Sequence, residues 1–481
     1  MKMPWPGIVW RSALLLATAA AMVAPAQESY DLVIRGGRVM DPETRLDAVR
    51  NVGIRNGRIT AIRSTPLAGK QTIDATGLVV APGFIDLHAH GQDDENHRYQ
   101  ARDGVTTALE LEIGTLDVEA WYAAREGKRL IHSGVTVGHP PARIKIFNDP
   151  SKTLVPTGDG ARRAATEEEI TLMKAAVEKG LQQGALGLGF GLQYTPAASR
   201  WEVLEMFRVA ARFKTPVFVH IRHMGDAEPD ALTAVGEVIA NAAITGAPLH
   251  IVHITSSGLK QTPRLLQTIA EAKARGVDVT TECYPYEAAM TELQSALFDP
   301  GWQKVLGIDV DRVEWVATGE RLTPATFTKY RKQGGMVIMH MIPPEVAALA
   351  IAHPQTIIAS DGVITNGKGH PRGAGTYARL LGKYVREQKA LPLMDALAKA
   401  ALLPAKRVGL TQKGRVRVGM DADLTLFDAA RVIDNATFKE PTLASAGIEY
   451  VLVAGTPVVS KGVLVEGVKP GRAVRRAVQP R

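Results

Sequence analysis

Two patterns of hydrophobic and polar residues divide the chain. Near both ends, short alternating runs are separated by glycine-containing turns, as in YDLVIRGGRVMD at 30–41 and IEYVLVAGTPVVSKG at 448–462. Such alternation is typical of β-hairpins that bury one face. The long middle instead alternates short apolar runs with amphipathic stretches such as TEEEITLMKAAVEKG at 166–180. That texture predicts strands followed by helices.

Eight apolar runs in the middle of the chain are strand candidates. They are GFIDLHAH (83–90), GVTTALELEIG (104–114), HSGVTVGHP (132–140), GALGLGFGLQY (184–194), TPVFVHIRH (215–223), APLHIVHIT (247–255), VDVTTECYPY (277–286) and QTIIASDG (355–362). Eight is the number that a (β/α)₈ barrel needs. We therefore predict an α/β protein, a TIM-like barrel with a discontinuous β-sandwich built from both chain ends.

The same pattern sets the predicted domain boundaries along the 481 residues. They are a signal peptide at 1–26, a first sandwich part at 27–82, the barrel at 83–409 with an insertion at 288–350, a second sandwich part at 410–468, and a basic tail at 469–481.

The first residues and the composition indicate where the protein works. Lys2 and Arg11 precede the apolar run 12–23, which is too short to span a bilayer, and Ala-Pro-Ala at 24–26 fits a signal-peptidase site. These features predict a cleaved signal peptide, with an uncleaved membrane anchor as the alternative. Cys283 is the single cysteine, so no intrachain disulfide forms. We expect a periplasmic or secreted protein that has no membrane contact after leader removal. The net charge is +8, but most basic residues are interspersed with acidic ones, which argues against nucleic-acid binding.

Polar side chains stand at the carboxyl ends of five predicted barrel strands. They are His88 and His90 at the first, Glu110 and Glu112 at the second, His220 at the fifth, His253 at the sixth and Asp361 at the eighth. These ends meet at one rim of a barrel, where active sites lie. Imidazole nitrogen and carboxylate oxygen suit zinc, and two such ions can activate one water together. The pattern predicts a metal centre at this rim.

The order of the motifs resembles the metal-dependent amidohydrolase superfamily, specifically its N-acyl-D-amino-acid deacylase (D-aminoacylase) branch. The likeness runs from about residue 30 to 467. It rests on PGFIDLHAH, GVTT, GALGLGFGLQYTP, HIRH, HIVHIT, YPY, IASDG, HPRGAGTYARLLGKYVRE and ADLTLFD. It implies a barrel with a β-sandwich, one or two Zn²⁺ ions, and hydrolysis of the amide bond of N-acyl-D-amino acids, a carbon–nitrogen bond other than a peptide bond.

The resemblance also implies roles for the metal-site residues. His88 and His90 correspond to ligands of the more buried metal, and His220 and His253 to ligands of the second. Asp361 corresponds to a residue that touches metal and acts as general acid/base toward a metal-activated water, the nucleophile.

Further residues are implied to contact the substrate. Arg372 resembles an arginine that binds the substrate carboxylate, work that suits the guanidinium fork. Tyr194 and Tyr286 match tyrosines of the substrate pocket. His223 either stabilises charge near the metals or lies on a surface loop. His139 and His340 are interpreted as supporting or pocket-wall groups.

The chain departs from the branch at the second strand. Many members place a metal-bridging cysteine there, and the gapless match to that position is Ile113. Glu112 is the nearest substitute, with Glu110 on the same strand face as the alternative. A buried carboxylate needs a compensating positive charge, which favours metal beside these glutamates. Cys283 belongs to the seventh strand and is expected in the core.

Two other functions fit the same residues. An amidohydrolase with this metal site can act on a cyclic amide, a dipeptide or another acylamide, because loops set specificity on this scaffold. A non-catalytic binding protein is the second alternative, against which the full ligand set and Asp361 argue. The sequence leaves the oligomeric state and the exact small-molecule substrate open.

Overall fold

The computed structural model describes residues 1–5, 7 and 29–477. Apart from residues 1–5 and 7, the predicted signal peptide lies outside the described residues, as does the end of the predicted basic tail at 478–481. Among the described residues, we find no helix that combines the length and the apolar character needed to cross a bilayer.

The strands are, in chain order, β1 (Ser29–Asp41), β2 (Leu46–Arg55), β3 (Arg58–Arg63), β4 (Ala68–Asp74), β5 (Val79–Pro82), β6 (Phe84–Asp86), β7 (Val105–Thr115), β8 (His132–Gly138), β9 (Leu188–Gly191), β10 (Val217–His220), β11 (Leu249–Ile251), β12 (Val279–Cys283), β13 (Ala289–Glu292), β14 (Val313–Trp315), β15 (Glu320–Arg321), β16 (Met336–Met339), β17 (Thr356–Ile358), β18 (Ile364–Thr365), β19 (Lys368–Gly369), β20 (Leu424–Phe427), β21 (Ile448–Val453), β22 (Thr456–Ser460) and β23 (Val463–Leu464).

The α-helices are α1 (Asp94–Arg102), α2 (Val118–Ala123), α3 (His139–Ile146), α4 (Asp159–Arg162), α5 (Glu167–Gln182), α6 (Arg200–Arg212), α7 (Ala231–Thr245), α8 (Ile254–Gly258), α9 (Thr262–Ala274), α10 (Trp302–Leu306), α11 (Pro324–Gln333), α12 (Pro344–Ala352), α13 (Arg372–Arg379), α14 (Leu393–Leu397) and α15 (Leu403–Arg407). Leu380–Glu387 and Ala398–Leu402 are π-helical continuations of α13 and α14.

The eight predicted middle strands form one parallel sheet in the order β6, β7, β8, β9, β10, β11, β12, β17. The two edges approach each other, since the amide of Asp361 donates to the carbonyl of His88 (2.7 Å) and the amide of Gly91 donates to that of Gly362 (3.1 Å). The sheet is therefore a nearly closed (β/α)₈ barrel, as the sequence pattern predicts.

Helix α5 illustrates how the sequence produces the outer layer. Thr166 and Glu169 form a capping box at its start. Its buried residues Ile170, Met173 and Val177 recur at helical spacing and pack in the main barrel cluster. The helix thus covers its neighbouring strands with one apolar face.

Both chain ends meet in a second, nine-stranded sheet. β20 pairs antiparallel with β5, and β5 pairs parallel with β1, so the strand that leads directly into the barrel is held by the returning C-terminal part. This joins the two predicted sandwich segments in one sheet with its own core.

The predicted insertion forms a small unit beside the rim. β13, β16, β14 and β15 form a four-stranded sheet. Its apolar cluster also includes Ile113 and Tyr194 from the barrel, which places this unit against the carboxyl ends of the barrel strands. Helix α12, at the end of the segment, contacts α9 and β17 and belongs to the barrel's outer layer.

Candidate metal centre

The predicted ligands converge at the carboxyl rim of the barrel. His88 and His90 follow β6, Glu112 lies in β7, His220 ends β10, and His253 follows β11. These five side chains form two groups of three, and within each group the ligand atoms all lie within 4.8 Å of one another. One group holds the first two histidines, the other holds the last two, and Glu112 is common to both.

Glu112 lies between the two histidine pairs. Its Oε1 is 2.7 Å from His220 Nδ1 and 3.1 Å from His253 Nε2, while its Oε2 is 3.2 Å from the Nε2 atoms of both His88 and His90. Each carboxylate oxygen therefore faces one pair, which is the arrangement of a carboxylate shared by two cations.

The spacing of the ring nitrogens fits metal ligation. His88 Nε2 and His90 Nε2 are 3.2 Å apart, and His253 Nε2 and His220 Nδ1 are 3.1 Å apart. Nitrogens that bind one tetrahedral zinc ion at 2.0–2.1 Å lie about 3.3 Å from each other. The donor set and its spacing therefore fit one ion at each pair, with Glu112 as the common ligand.

Close backbone packing holds Glu112 in place. A Cβ atom at Gly189 of β9 would lie 2.3 Å from the carbonyl oxygen of Glu112, and one at Gly138 of β8 would lie 1.9 Å from that of Ile113. Only glycine permits this approach. The pairing of β7 with β8 is also irregular after Glu110, which re-aims the residues that follow.

Asp361 lies on the other side of the first histidine pair. Its Oδ1 is 3.5 Å from His88 Nε2 and 3.4 Å from His90 Nε2, and its Oδ2 is 3.0 Å from Arg372 Nη2. Its backbone is left-handed (φ 53°), as is that of His253 (φ 32°). Non-glycine residues in this region cost energy and concentrate at functional sites.

The charges at the centre shift the ionisation of these groups. Burial by itself would raise the pKa of Asp361, but the positive charges of Arg372 and His88 outweigh it, and the net pKa is lowered. Burial would lower the pKa of His88, yet Asp361 and Glu112 hold it well above its usual value. The negative carboxylates around these imidazole nitrogens favour the binding of a divalent cation, which displaces protons from the site.

Two further carboxylates hold the first histidine pair from behind. Glu282 Oε1 lies 2.6 Å from His88 Nδ1, and Glu110 Oε2 lies 2.6 Å from His90 Nδ1. Such contacts fix the tautomer that directs Nε2 toward the metal. Glu110 is therefore a supporting residue in this geometry, and Glu112 takes the central position between the histidines.

Sequence reasoning missed Glu282. It lies in β12 between Thr281 and Cys283, and its other oxygen contacts Nε2 of the buried His250 (3.0 Å). A carboxylate within a buried strand needs a compensating partner, and this is the signal that could have identified Glu282.

Beside the metal centre is an open pocket of about 160 Å³. Tyr194 forms part of its wall, with its hydroxyl bonded to Thr291 Oγ1 (2.8 Å) and its ring edge-on to His220. Ile113, the residue at the position of the branch's cysteine, also lines the wall. A larger cavity of about 890 Å³ lies at the opposite end of the barrel and contains none of the predicted ligands.

Arg372 is buried next to the pocket. Its guanidinium lies over the ring of Tyr284 (4.5 Å to the centroid), and Nε and Nη1 have no hydrogen-bond partner among the described residues. This buried cation therefore keeps N–H donors for a substrate carboxylate, which it can bind through Nη2 together with Nε or Nη1.

The structure does not bring every predicted residue to this pocket. The Tyr286 hydroxyl bonds Asp434 (3.2 Å), and its ring stacks edge-on against His370, so the side chain is directed away from the pocket wall. His223 is half-buried outside the wall, and burial together with Arg222 lowers its pKa.

Two histidines interpreted as supporting groups also lie elsewhere. His139 bonds Glu202 (2.7 Å) within the barrel's outer layer, and His340 bonds Glu314 (3.0 Å) in the insertion. Both are absent from the pocket wall. Cys283 is buried in the barrel core, as expected. Motif position alone did not determine where these imidazoles point.

Comparisons with known proteins agree with the site. The model of the amidohydrolase family matches residues 71–137 and 145–459. The chain is 32% identical to an N-acyl-D-glutamate deacylase from Alcaligenes xylosoxydans xylosoxydans over 94% of this chain and 97% of that protein. It is 30% identical to a D-aminoacylase from the same organism over 93% and 98%.

A solved structure shows the same architecture. It is an N-acyl-D-glutamate deacylase from Bordetella bronchiseptica in complex with zinc and a phosphonate inhibitor, with a TM-score of 0.80, 28% identity, and coverage of 93% of this chain and 100% of that one. The family match, the relatives and the convergent histidines and carboxylates lead to one conclusion: this chain belongs to the amidohydrolase family.

Proposed function

We propose that this protein is a metal-dependent hydrolase that cleaves the amide bond of N-acyl-D-amino acids. The observation that carries the proposal is the position of Asp361, which lies 3.4–3.5 Å from two ligand nitrogens and 3.0 Å from Arg372. A carboxylate and a guanidinium side by side at the candidate metal centre support the roles of proton acceptor and carboxylate-binding cation. The relatives named for N-acyl-D-amino-acid deacylation support the same substrate class.

Zinc is the proposed metal. His88 and His90 would hold one ion and His220 and His253 a second, with Glu112 shared between them. When bound, the metal supplies a Lewis acid that polarises the amide carbonyl and makes water more acidic. The nitrogen and oxygen donors suit zinc, and the solved relative that contains zinc supports this choice.

Asp361 moves the protons of the reaction. Its carboxylate accepts a proton from the attacking water, whose oxygen forms a bond to the amide carbon. It then donates that proton to the amide nitrogen as the carbon–nitrogen bond breaks, and the products are a carboxylic acid and a free D-amino acid. A single group performs both transfers only if it reaches water and leaving nitrogen, which its place beside the histidines allows.

Arg372 orients the substrate. Its Nε and Nη1 have no hydrogen-bond partner among the described residues, and a guanidinium binds the α-carboxylate of an N-acyl amino acid through two adjacent N–H groups, here Nη2 with either of these nitrogens. Holding the carboxylate at one point and the carbonyl at another fixes the scissile bond near Asp361.

Export to the periplasm or medium is also a proposal. It is supported by the apolar run and cleavage motif of residues 1–26. N-terminal sequencing of the protein recovered from the periplasmic fraction of a Gram-negative host tests it. A mature chain that begins at residue 27 is expected, and an intact leader in the cytoplasmic fraction would contradict it.

The function is tested by removing the metal and the acid/base group separately. Chelated protein should lose hydrolysis of N-acetyl-D-amino acids and regain it with Zn²⁺. Asp361→Asn should lose at least about 100-fold in kcat, the lower range for general acid–base catalysis. Asp299→Asn, a surface carboxylate, is the control. Full activity of chelated protein or of Asp361→Asn would overturn the proposal.

A further inference from the structure

The pocket beside the metal centre has an apolar, methionine-rich wall. Five of the chain's 13 methionines line it, namely Met224, Met290, Met336, Met339 and Met341. Methionine is flexible and polarisable, so such a wall adapts to apolar groups of different shape. The volume of about 160 Å³ is also lined by residues of the metal centre, so the apolar wall faces a small group next to the reacting amide.

The wall offers no cation to an anionic group. No lysine or arginine occurs among its lining residues, all of which belong to the described part of the chain. Arg372 is not among these residues, and in the function proposed above it binds the α-carboxylate of the substrate. A substrate with a second carboxylate in its side chain would leave that carboxylate without a partner, which is costly in an apolar environment.

Glu292 adds a carboxyl group to this wall. Its Oε2 accepts hydrogen bonds from Thr153 Oγ1 and Gln294 Nε2, both at 2.7 Å, and no ion pair between described residues includes it. Burial raises the pKa of the Glu292 carboxyl and outweighs the lowering by the hydrogen bonds from Thr153 and the backbone of Leu154 and by the positive charge of His90. The pocket thus presents a carboxyl group that no lysine or arginine of its lining pairs with.

Resting on the function proposed above, we propose that this pocket receives the side chain of a neutral, apolar N-acyl-D-amino acid, and that Glu292 determines specificity by excluding acidic side chains. The substrates are then N-acyl derivatives of amino acids such as D-methionine and D-leucine. This specificity differs from that named for the relative that is 32% identical, an N-acyl-D-glutamate deacylase. Glu292 acts on substrate selection and takes no part in proton transfer.

The expected discrimination is large. Two unit charges about 6 Å apart at an effective dielectric of about 20 repel each other enough to change an equilibrium about 100-fold, which corresponds to about 2.7 kcal/mol. Purified zinc-loaded protein should therefore hydrolyse N-acetyl-D-methionine with a kcat/KM at least about 100-fold above that for N-acetyl-D-glutamate.

Variants separate the charge of Glu292 from the shape of the pocket. Glu292→Gln keeps the length and an acceptor oxygen for Thr153 and Gln294, and should raise kcat/KM for N-acetyl-D-glutamate at least about 10-fold, mainly through a lower KM. The ratio of its kcat/KM for N-acetyl-D-glutamate to that for N-acetyl-D-methionine should rise at least about 10-fold above the wild-type ratio. Glu320→Gln removes one charge from the same inserted unit outside the pocket and should change neither value.

The outcomes distinguish this inference from the proposed function. Equal or better hydrolysis of N-acetyl-D-glutamate by the wild type would overturn the pocket assignment and leave the deacylase function intact, and this comparison needs no variant to fold. An unchanged N-acetyl-D-glutamate KM in folded Glu292→Gln would overturn the role of Glu292. Failure to hydrolyse any N-acetyl-D-amino acid would overturn the proposed function itself, and this inference with it.

Discussion

Replacement of Glu282 by glutamine tests whether the metal centre depends on its supporting carboxylates. Glu282 bonds His88 Nδ1 at 2.6 Å and His250 Nε2 at 3.0 Å, and it is 1% exposed. In this geometry, His88 donates its Nδ1 hydrogen to Glu282 and presents Nε2 to the metal. The glutamine amide keeps the size of the side chain but has one acceptor oxygen, so it can support only one of the two imidazoles in this way.

The magnitude follows from the position of Glu282 behind a ligand. Loss of a hydrogen-bonding partner of a metal-bound histidine typically lowers metal affinity by about 10–100-fold, or about 1.4–2.7 kcal/mol. We expect Glu282→Gln to weaken zinc binding by that factor. Activity at limiting zinc should fall in proportion, and excess zinc should restore most of it.

The assay is a competition titration with a chromophoric zinc chelator, with circular dichroism to confirm folding. Glu314→Gln is the matched control. It also removes a buried carboxylate that bonds a histidine, since Glu314 lies 3.0 Å from His340 Nε2, but this pair is remote from the metal centre. It should bind zinc as the wild type does. Zinc affinity of folded Glu282→Gln within about twofold of wild type would show that Glu282 does not support zinc binding through His88.

Three other substitutions test further parts of the account. Glu112→Gln should lower the zinc content per chain measured by mass spectrometry, because the shared carboxylate loses one acceptor oxygen; unchanged content would contradict its central role. Arg372→Lys should raise KM about 10–100-fold, because an ammonium cannot offer two parallel N–H donors, and an unaltered KM would count against carboxylate binding. Burial raises the pKa of Asp103 to about 8, so its stabilising contribution is complete below pH about 4 and is lost as pH rises through about 8. Urea titrations of Asp103→Asn should therefore show it gaining stability relative to wild type across that range, and a pH-independent difference would argue against this.

Strand order was predictable because the apolar runs and their polar ends repeat in a simple way. His88 and His90 share one strand face, and the carboxyl ends of parallel strands meet at one rim, so convergence of the histidines follows from periodicity alone. Periodicity could not decide between Glu110 and Glu112, because both residues lie on the same face of the strand. Only the irregular pairing after Glu110 and the close approach of Gly189 set their different positions.

Side chains beyond the strand ends were harder to predict. Tyr286 lies three residues after β12 ends, where alternation no longer fixes direction, and its hydroxyl bonds Asp434 instead of facing the pocket. His223 follows β10 by the same distance and stays outside the wall. The pocket itself is completed by β13 and β16, whose pairing connects residues more than 40 positions apart. No local pattern encodes that contact.

The most direct test of the central claim is release of free amino acid from matched N-acetyl-D- and N-acetyl-L-amino acids, with leaderless protein supplied with zinc. Methionine, leucine and glutamate pairs, with a hydantoin as a cyclic amide, form the panel. We expect zinc-dependent hydrolysis of the D-enantiomers, with the L-enantiomers and the hydantoin left intact. Hydrolysis of the L-enantiomers or of the hydantoin in place of the D-substrates would contradict it.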